Sequence, residues 1–283
     1  MAATVFRPGA TALITGGGSG IGFAVPNFAG CNGRTRSGRD PAQTICQTEH
    51  SSPEAREWHG DHSVQGTLVE SSCSLGEREH ENFAREKGEA MVGWANDLTF
   101  ATNFTGVLNG IYTFLPMISE AAAQGPKAIV ITGSKQGITN PPGANNPAYN
   151  ASKSALKSIA EFLAHDMHSN SATKNVHVHL LIPGWTFTGL TGSEGPIHDD
   201  QALALKPKGA WIPSQVARYM YEKMNQGKFY IVCPDEDVSE ALDKARMEWA
   251  IGDIIEGRPA LSRWHEEWKD KASEWINEEA AKR

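Results

Sequence analysis

Tyr149 and Lys153 stand four residues apart in the run Tyr149-Asn150-Ala151-Ser152-Lys153. Leu156, Ile159, Leu163 and Met167 follow at helical spacing, so the phenol and the ammonium share one face of a predicted helix. An unperturbed tyrosine ionises near ~10, too high for ready proton exchange at neutral pH, and an adjacent cation favours the phenolate. A tyrosine so placed can serve as general acid and base. Taken alone, the spacing also fits a surface Tyr and Lys one turn apart, so the flanking elements have to decide.

Three further segments bear on that choice. Residues 127–132 read as a buried parallel strand, and Gly133-Ser134-Lys135-Gln136-Gly137 falls where its C-terminal end opens, the edge at which open α/β sheets bind ligands. The apolar run 10–15 is followed at once by Gly16-Gly17-Gly18-Ser19-Gly20-Ile21-Gly22, which reads as strand, tight turn and helix start. Glycines there permit positive φ and close approach of a ligand, and the free N–H groups of a helix start favour a phosphate; a plain glycine loop is the bland alternative. Asn103 is expected to open a helix carrying Phe104, Val107, Leu108, Ile111, Leu115 and Ile118, where simple capping competes with a chemical role.

The conjunction is more specific than its parts. T-G-x-x-x-G-I-G at 15–22, N-x-x-G at 103–106, Ser134 three before Gly137, Y-x-x-x-K at 149–153 and Pro183-Gly184 after a strand at 176–182 fall in one order. In this the chain resembles the short-chain dehydrogenase/reductase family, over residues 10–25 and about 97–235. The resemblance implies an α/β fold of Rossmann type with a doubly wound parallel sheet. It also implies hydride exchange between a nicotinamide dinucleotide and a carbonyl or alcohol. It assigns Tyr149 as proton donor and Lys153 as the group that lowers its pKa and holds the nicotinamide ribose. Ser134 would bind the substrate oxygen, and Asn103 would position a proton-relay water. Thr15, Gly16, Ser19, Gly20, Ile21 and Gly22 would hold the dinucleotide together with Asn103, Tyr149, Lys153, Pro183, Gly184, Thr186 and Thr188. Thr186 departs from the family, which usually has an aliphatic residue there. Asn140-Pro141-Pro142-Gly143 reads as a small insertion between Ser134 and Tyr149.

Gly189, Gly192, Gly195 and Pro196 keep the loop after 188 irregular, a composition suited to a mobile cover. Trp185, Phe187, Leu190, Ile197 and Trp211 would give it an apolar pocket, hence an expected hydrophobic ketone or secondary alcohol, in keeping with secondary metabolism.

Residues 26–94 do not fit. A parallel sheet needs buried runs of Val, Ile or Leu here, and of these residues the window offers only Ile45, Val64, Leu68, Val69, Leu75 and Val92, never three together. Measured against the family, the window lacks an apolar second strand, an acidic residue for the adenine and an N-N-A-G strand end. Divergence would keep apolar periodicity, whereas a shifted reading frame or misplaced exon boundaries would scramble it at constant length. Sequencing the transcript separates the two. Arg34, Arg36 and Arg39 would suit a 2′-phosphate, so NADP is expected and NAD stays open. His59 and His62, with Glu57, Asp61 and His80 nearby, lack a second pair at ligand spacing, and no metal is expected.

Residues 1–235 thus read as one Rossmann-type domain and 236–283 as a helical extension. A helix at 214–226 turns Val216, Met220 and Met224 inward, and 229–233 read as the last strand. Val238, Leu242, Ala245 and Trp249 form one helical stripe, and Trp264, Trp268 and Trp275 another; docking on the same domain, a dimer contact and a cover over the substrate mouth are the roles weighed. A net charge of -7, with 26 basic and 33 acidic residues among 283, argues against nucleic acid as partner. Four scattered cysteines, no signal-peptide-like stretch and no run approaching ~20 apolar residues point to a cytoplasmic protein without membrane contact. A small-molecule substrate is the expected partner. Family members are often dimers or tetramers, which leaves room for a homo-oligomer. The competing reading is a catalytically impaired dinucleotide-binding relative, to which the unpatterned window lends weight.

Overall fold

A computed structural model describes residues 5, 11–15, 20–28, 36–37, 43–47, 66–70, 97–143, 146–193 and 197–283. Thr11–Thr15 form β1, and Gly20–Phe28 form α1. Arg36–Ser37 (β2), Gln43–Gln47 (β3) and Gly66–Glu70 (β4) come next. A helical stretch then combines Asp97–Phe100 (α2), a π-helical turn at Ala101–Thr105 and Gly106–Ala121 (α3). Lys127–Thr132 is β5, Gln136–Thr139 is α4, Pro147–Ser169 is α5 and Val176–Ile182 is β6. The chain closes with Asp199–Leu205 (α6), Pro213–Asn225 (α7), Tyr230–Val232 (β7), Glu240–Ile255 (α8) and Glu266–Ala281 (α9).

The seven strands form one sheet in the order β2-β3-β1-β4-β5-β6-β7. From β1 to β7 every neighbouring pair is parallel. Helices cover both faces of β5 and β6, because these strands are apolar on both sides. On β5, Ala128 and Val130 join Val25, Val216, Met220 and Met224 in a core beneath α1 and α7. Ile129 and Ile131 turn the other way, onto Val107 and Ile111 of α3 and Leu156 and Leu163 of α5. Burial on two faces is what the continuous apolar runs at 127–132 and 176–182 encode. The expected doubly wound α/β fold is the one observed.

Two findings qualify the reading of 26–94. The window does contribute strands: β3 holds Ile45, and β4 holds Leu68 and Val69. Two adjacent apolar residues suffice in β4 because it lies between β1 and β5, with Leu68 beside Leu13 and Ile129 and Val69 beside Ile14 and Val130. The second finding is direction. β3 pairs with β1 antiparallel, Thr15 opposite Gln43 and Thr11 opposite Gln47, and β2 is antiparallel to β3. The sheet is therefore parallel in five strands and antiparallel at one edge. The rest of the window lies outside the described residues, including His59, His62 and His80.

Candidate active site

The parallel strands place the ends of β1, β5 and β6 at one edge of the sheet, and the predicted site residues gather there. α5 starts cleanly: Asn146 Oδ1 accepts a hydrogen bond from Tyr149 N at 3.1 Å, and Pro147 occupies the first helical position, where its missing N–H costs nothing. That start sets the register of Tyr149 and, one turn on, of Lys153. Lys153 is only 2% exposed. Its ammonium donates to Thr132 O at the end of β5, 3.1 Å away, and lies 5.6 Å from the centre of the Tyr149 ring. Tyr149 itself is half-buried. A long cationic side chain buried this fully is uncommon; among the described lysines Lys127 alone shares it.

Ser134 follows β5 directly. Its Oγ accepts from Gln136 N at 3.2 Å, which folds the loop back into α4. Gly137 is required by packing: a Cβ there would lie 2.7 Å from Lys153 C and Cβ and 2.8 Å from Ser154 N. The S-x-x-G spacing therefore has a structural cause, since only a glycine lets the Ser134 loop rest on the α5 backbone beside Lys153.

Asn103 does not open a helix. It sits wholly buried inside the π-helical turn between α2 and α3, so the capping role is excluded. Such single-turn widenings are often found at functional sites. Its Nδ2 donates to Ser152 Oγ at 3.2 Å, and Ser152 Oγ donates to Tyr149 O at 2.8 Å. Asn103 is thereby joined to the turn of α5 that carries Tyr149 and Lys153. Nothing in the sequence pairs Asn103 with Ser152; both read as small polar residues on separate helices.

The residues expected to hold a dinucleotide divide into two groups. Gly16 and Ser19 lie outside the described residues. Thr15 ends β1, and Gly20, Ile21 and Gly22 begin α1. Gly20 has φ +55°, and a Cβ on it would come 3.2 Å from Thr188 Cγ2. The helix start thus meets the segment after β6 closely enough to need a glycine. Pro183 is buried, Gly184 is half-buried, and Thr186 is buried with its hydroxyl bonded to Gly184 O at 3.2 Å. Thr188 N donates to Thr191 Oγ1 at 2.9 Å, closing a short helical turn. The missing Cβ at Gly20, the helix start behind it and the buried ammonium at the end of β5 suit an extended dinucleotide laid along this edge. Arg36 lies in β2, two strands from β1, while Arg34 and Arg39 fall outside the described residues.

The apolar cover is arranged differently from the expectation. Phe187 is buried with Ala202, Ala210 and Ile212 in a small core of its own, against which half-buried Ile197 packs, so Phe187 helps to hold the cover together. Trp185 is 46% exposed. Trp211 is tied to the segment by Phe187 N donating to Trp211 O and Trp211 N donating to Trp185 O, at 2.8 and 2.9 Å. Its ring packs edge-on against Tyr219 at 5.7 Å.

Lys135, next to Ser134, carries no role that the sequence alone assigns. Its ammonium is held between Asp235 Oδ2, at 3.3 Å, and the carboxylate of Asp243. Burial raises the Asp243 carboxyl against the opposing pull of Lys135. Gly184 stands over this pair, since a Cβ there would meet both Asp235 Oδ2 and Lys135 Nζ at 2.6 Å. Asp235 and Asp243 lie 100 and 108 residues beyond Lys135 in the chain, and no local pattern announces them.

Comparison with known proteins agrees with this geometry. Residues 86–197 match the family described as short chain dehydrogenase, a span that contains Asn103, Ser134, Tyr149 and Lys153. Over 192 residues the chain is 29% identical to Oxidoreductase asL5 of Sarocladium schorii, covering 59% of this chain and 70% of the relative. A short chain dehydrogenase/reductase from Burkholderia phymatum in complex with NAD superposes with a TM-score of 0.54 at 20% identity, over 89% of this chain and 96% of that one. A short chain dehydrogenase from Burkholderia cenocepacia J2315 in complex with NADP gives 0.52 at 14%, over 92% and 98%. The matched segment and the residues gathered at the sheet edge lead to one conclusion: over residues 86–197 the chain is similar to the short chain dehydrogenase family, on an α/β fold that such dehydrogenases share.

Proposed function

We propose that the protein reduces a hydrophobic ketone, or oxidises the matching secondary alcohol, at the edge formed by β1, β5 and β6. Bound NADP(H) supplies or accepts the hydride. Ser134 holds the substrate oxygen by a hydrogen bond. The Tyr149 hydroxyl gives its proton to that oxygen in the reductive direction and takes it back in the oxidative one. Lys153 stabilises the phenolate left behind and holds the ribose through the same ammonium. Asn103 fixes the turn of α5 through Ser152 and positions a water that restores the Tyr149 proton. Gly20, Ile21 and Gly22 would receive the phosphates at the start of α1, while Pro183, Gly184, Thr186 and Thr188 would hold the nicotinamide end. The single observation that carries this reading is the buried Lys153 ammonium 5.6 Å from the half-buried Tyr149 ring.

The finer assignments rest on composition. Both NAD and NADP accompany similar structures, and the run Arg34, Arg36, Arg39 favours the 2′-phosphate of NADP. The exposed Trp185 and half-buried Leu190 leave apolar surface at the cover, in keeping with a secondary-metabolite ketone. A panel of ketones followed by nicotinamide absorbance, run beside Tyr149→Phe, tests the mechanism. Turnover in the parent and its loss in the variant are expected. Equal rates in both would exclude Tyr149 as the acid, and dinucleotide binding without turnover in the parent would leave a binding protein.

A further inference from the structure

Two side chains of the C-terminal helical hairpin reach the segments that carry Ser134 and Tyr149. From α8, Asp243 is 3% exposed and pairs with Lys135, which directly follows Ser134. From the connection between α8 and α9, the Trp264 indole N–H donates to Asn140 O at 2.9 Å. Asn140 Oδ1 in turn accepts from Asn150 Nδ2 at 2.9 Å, and Asn150 directly follows Tyr149. Asn140 caps α4 in the left-handed region at φ +40°, which asparagine tolerates, and these two hydrogen bonds add to its own N–H bond to Gln136 O in fixing it.

The hairpin has the stiffness to act as a reference. Trp249 packs against Trp268 and Trp275 with Ala245, Ala272 and Ile276. Arg258 stacks over the Trp249 ring at 4.0 Å and binds Trp249 O and Asp253, while Ser262 accepts the Trp249 N–H at 2.8 Å. Trp264 stands apart from Trp268 and Trp275: it lies before α9, 39% exposed, and its contact is Asn140. Apolar packing already accounts for the hairpin's own cohesion. A buried ion pair contributes little stability relative to an apolar contact of the same volume, because desolvation offsets the attraction. Its remaining consequence is position.

We propose that the C-terminal hairpin is a two-armed clamp that sets Ser134 and Tyr149 relative to each other, one arm running through Asp243 and Lys135 and the other through Trp264, Asn140 and Asn150. The clamp rests on the roles proposed above for Ser134 and Tyr149. Asp243 and Trp264 are positioning residues and touch no reacting atom. Proton transfer and substrate binding demand placement within about half an ångström, so small drifts in either segment lower turnover while leaving dinucleotide binding intact.

The test uses the full chain with Asp243→Asn, which keeps the shape, and Trp264→Phe, which keeps the ring. Each variant is expected to lose about tenfold in kcat with KM for NADPH within about twofold, and to raise hydrogen exchange across 134–150 while β6 keeps its protection. Unchanged exchange at 134–150 in both variants overturns the clamp whatever kcat does. Exchange rising equally across the whole sheet overturns it too, since that is ordinary loss of stability. Tyr149→Phe is assayed alongside: full activity there sinks the catalytic reading, while the exchange result still judges the clamp.

Discussion

Replacing Lys153 by Met removes the ammonium while keeping an unbranched side chain of similar length in a site that is 2% exposed. Taking the ring centre as the mean position of phenolate charge, the Nζ lies 5.6 Å away. At an effective dielectric of about 20, that separation gives about 3 kcal/mol of stabilisation to the anion. If the whole of it acts on proton transfer from Tyr149, kcat falls by about two orders of magnitude. The alkaline limb of the pH–rate profile moves to higher pH, because a phenol without its cation holds the proton more tightly. Thr132 O also loses a donor, at a cost of about 1–3 kcal/mol of stability, so a melting curve must show that the variant is folded at the assay temperature. The assay is reduction of the best ketone in the panel, followed by NADPH absorbance at saturating dinucleotide so that weaker ribose binding does not enter kcat. A folded Lys153→Met protein with kcat within threefold of the parent, and an unmoved profile, would refute the electrostatic account of Tyr149.

Two further outcomes follow from local packing and burial. Gly137→Ala places a Cβ 2.7 Å from the backbone of Lys153, where nothing flexible can yield; a loss of about 2 kcal/mol and a fall in Tm of roughly 5 °C are expected by thermal melting, together with reduced kcat as the Ser134 loop lifts from α5. His179 is buried with its ring nitrogen Nδ1 2.7 Å from Lys228 O. Burial pushes its pKa down, with the bond to Lys228 O opposing and nearby His177 adding to the fall. The folded state therefore resists a proton that the unfolded chain accepts, and stability declines as pH drops below the ordinary histidine value of about 6.5. His179→Asn, which retains a donor for Lys228 O, should flatten the decline in Tm between about pH 7.5 and about pH 5.5; an equal decline in both proteins would exonerate His179.

What could be read in the sequence divides along a physical line. β5, β6 and the inward stripes of α5 and α7 are encoded by local periodicity, and Lys127–Thr132 and Val176–Ile182 fall where that periodicity ends. Tyr149 and Lys153 were legible because their pairing lies within one helix. Interactions between distant segments leave no such signal. Lys135 reads as a loop cation until Asp235 and Asp243 are folded against it, and Asn103 reads as a helix cap until the π-helical turn carries it to Ser152. Phe187 shows the same limit: apolarity in a glycine-rich cover is equally compatible with lining a pocket and with filling a core, and Phe187 is buried in one.

The edge strands extend that argument to the cofactor. In a parallel doubly wound sheet, the strand beside β1 delivers its C-terminal end to the dinucleotide, and that end commonly carries the residue that selects between NAD and NADP. Here the strand beside β1 is antiparallel, with Gln43 opposite Thr15, so its first residue stands at the cofactor edge and its last, Gln47, at the far one. Of the three arginines weighed for a 2′-phosphate, Arg36 alone lies among the described residues, in β2 opposite Ile45 of β3. Selectivity for NADP that survives replacement of Arg34, Arg36 and Arg39 together would show that the 2′-phosphate is read elsewhere.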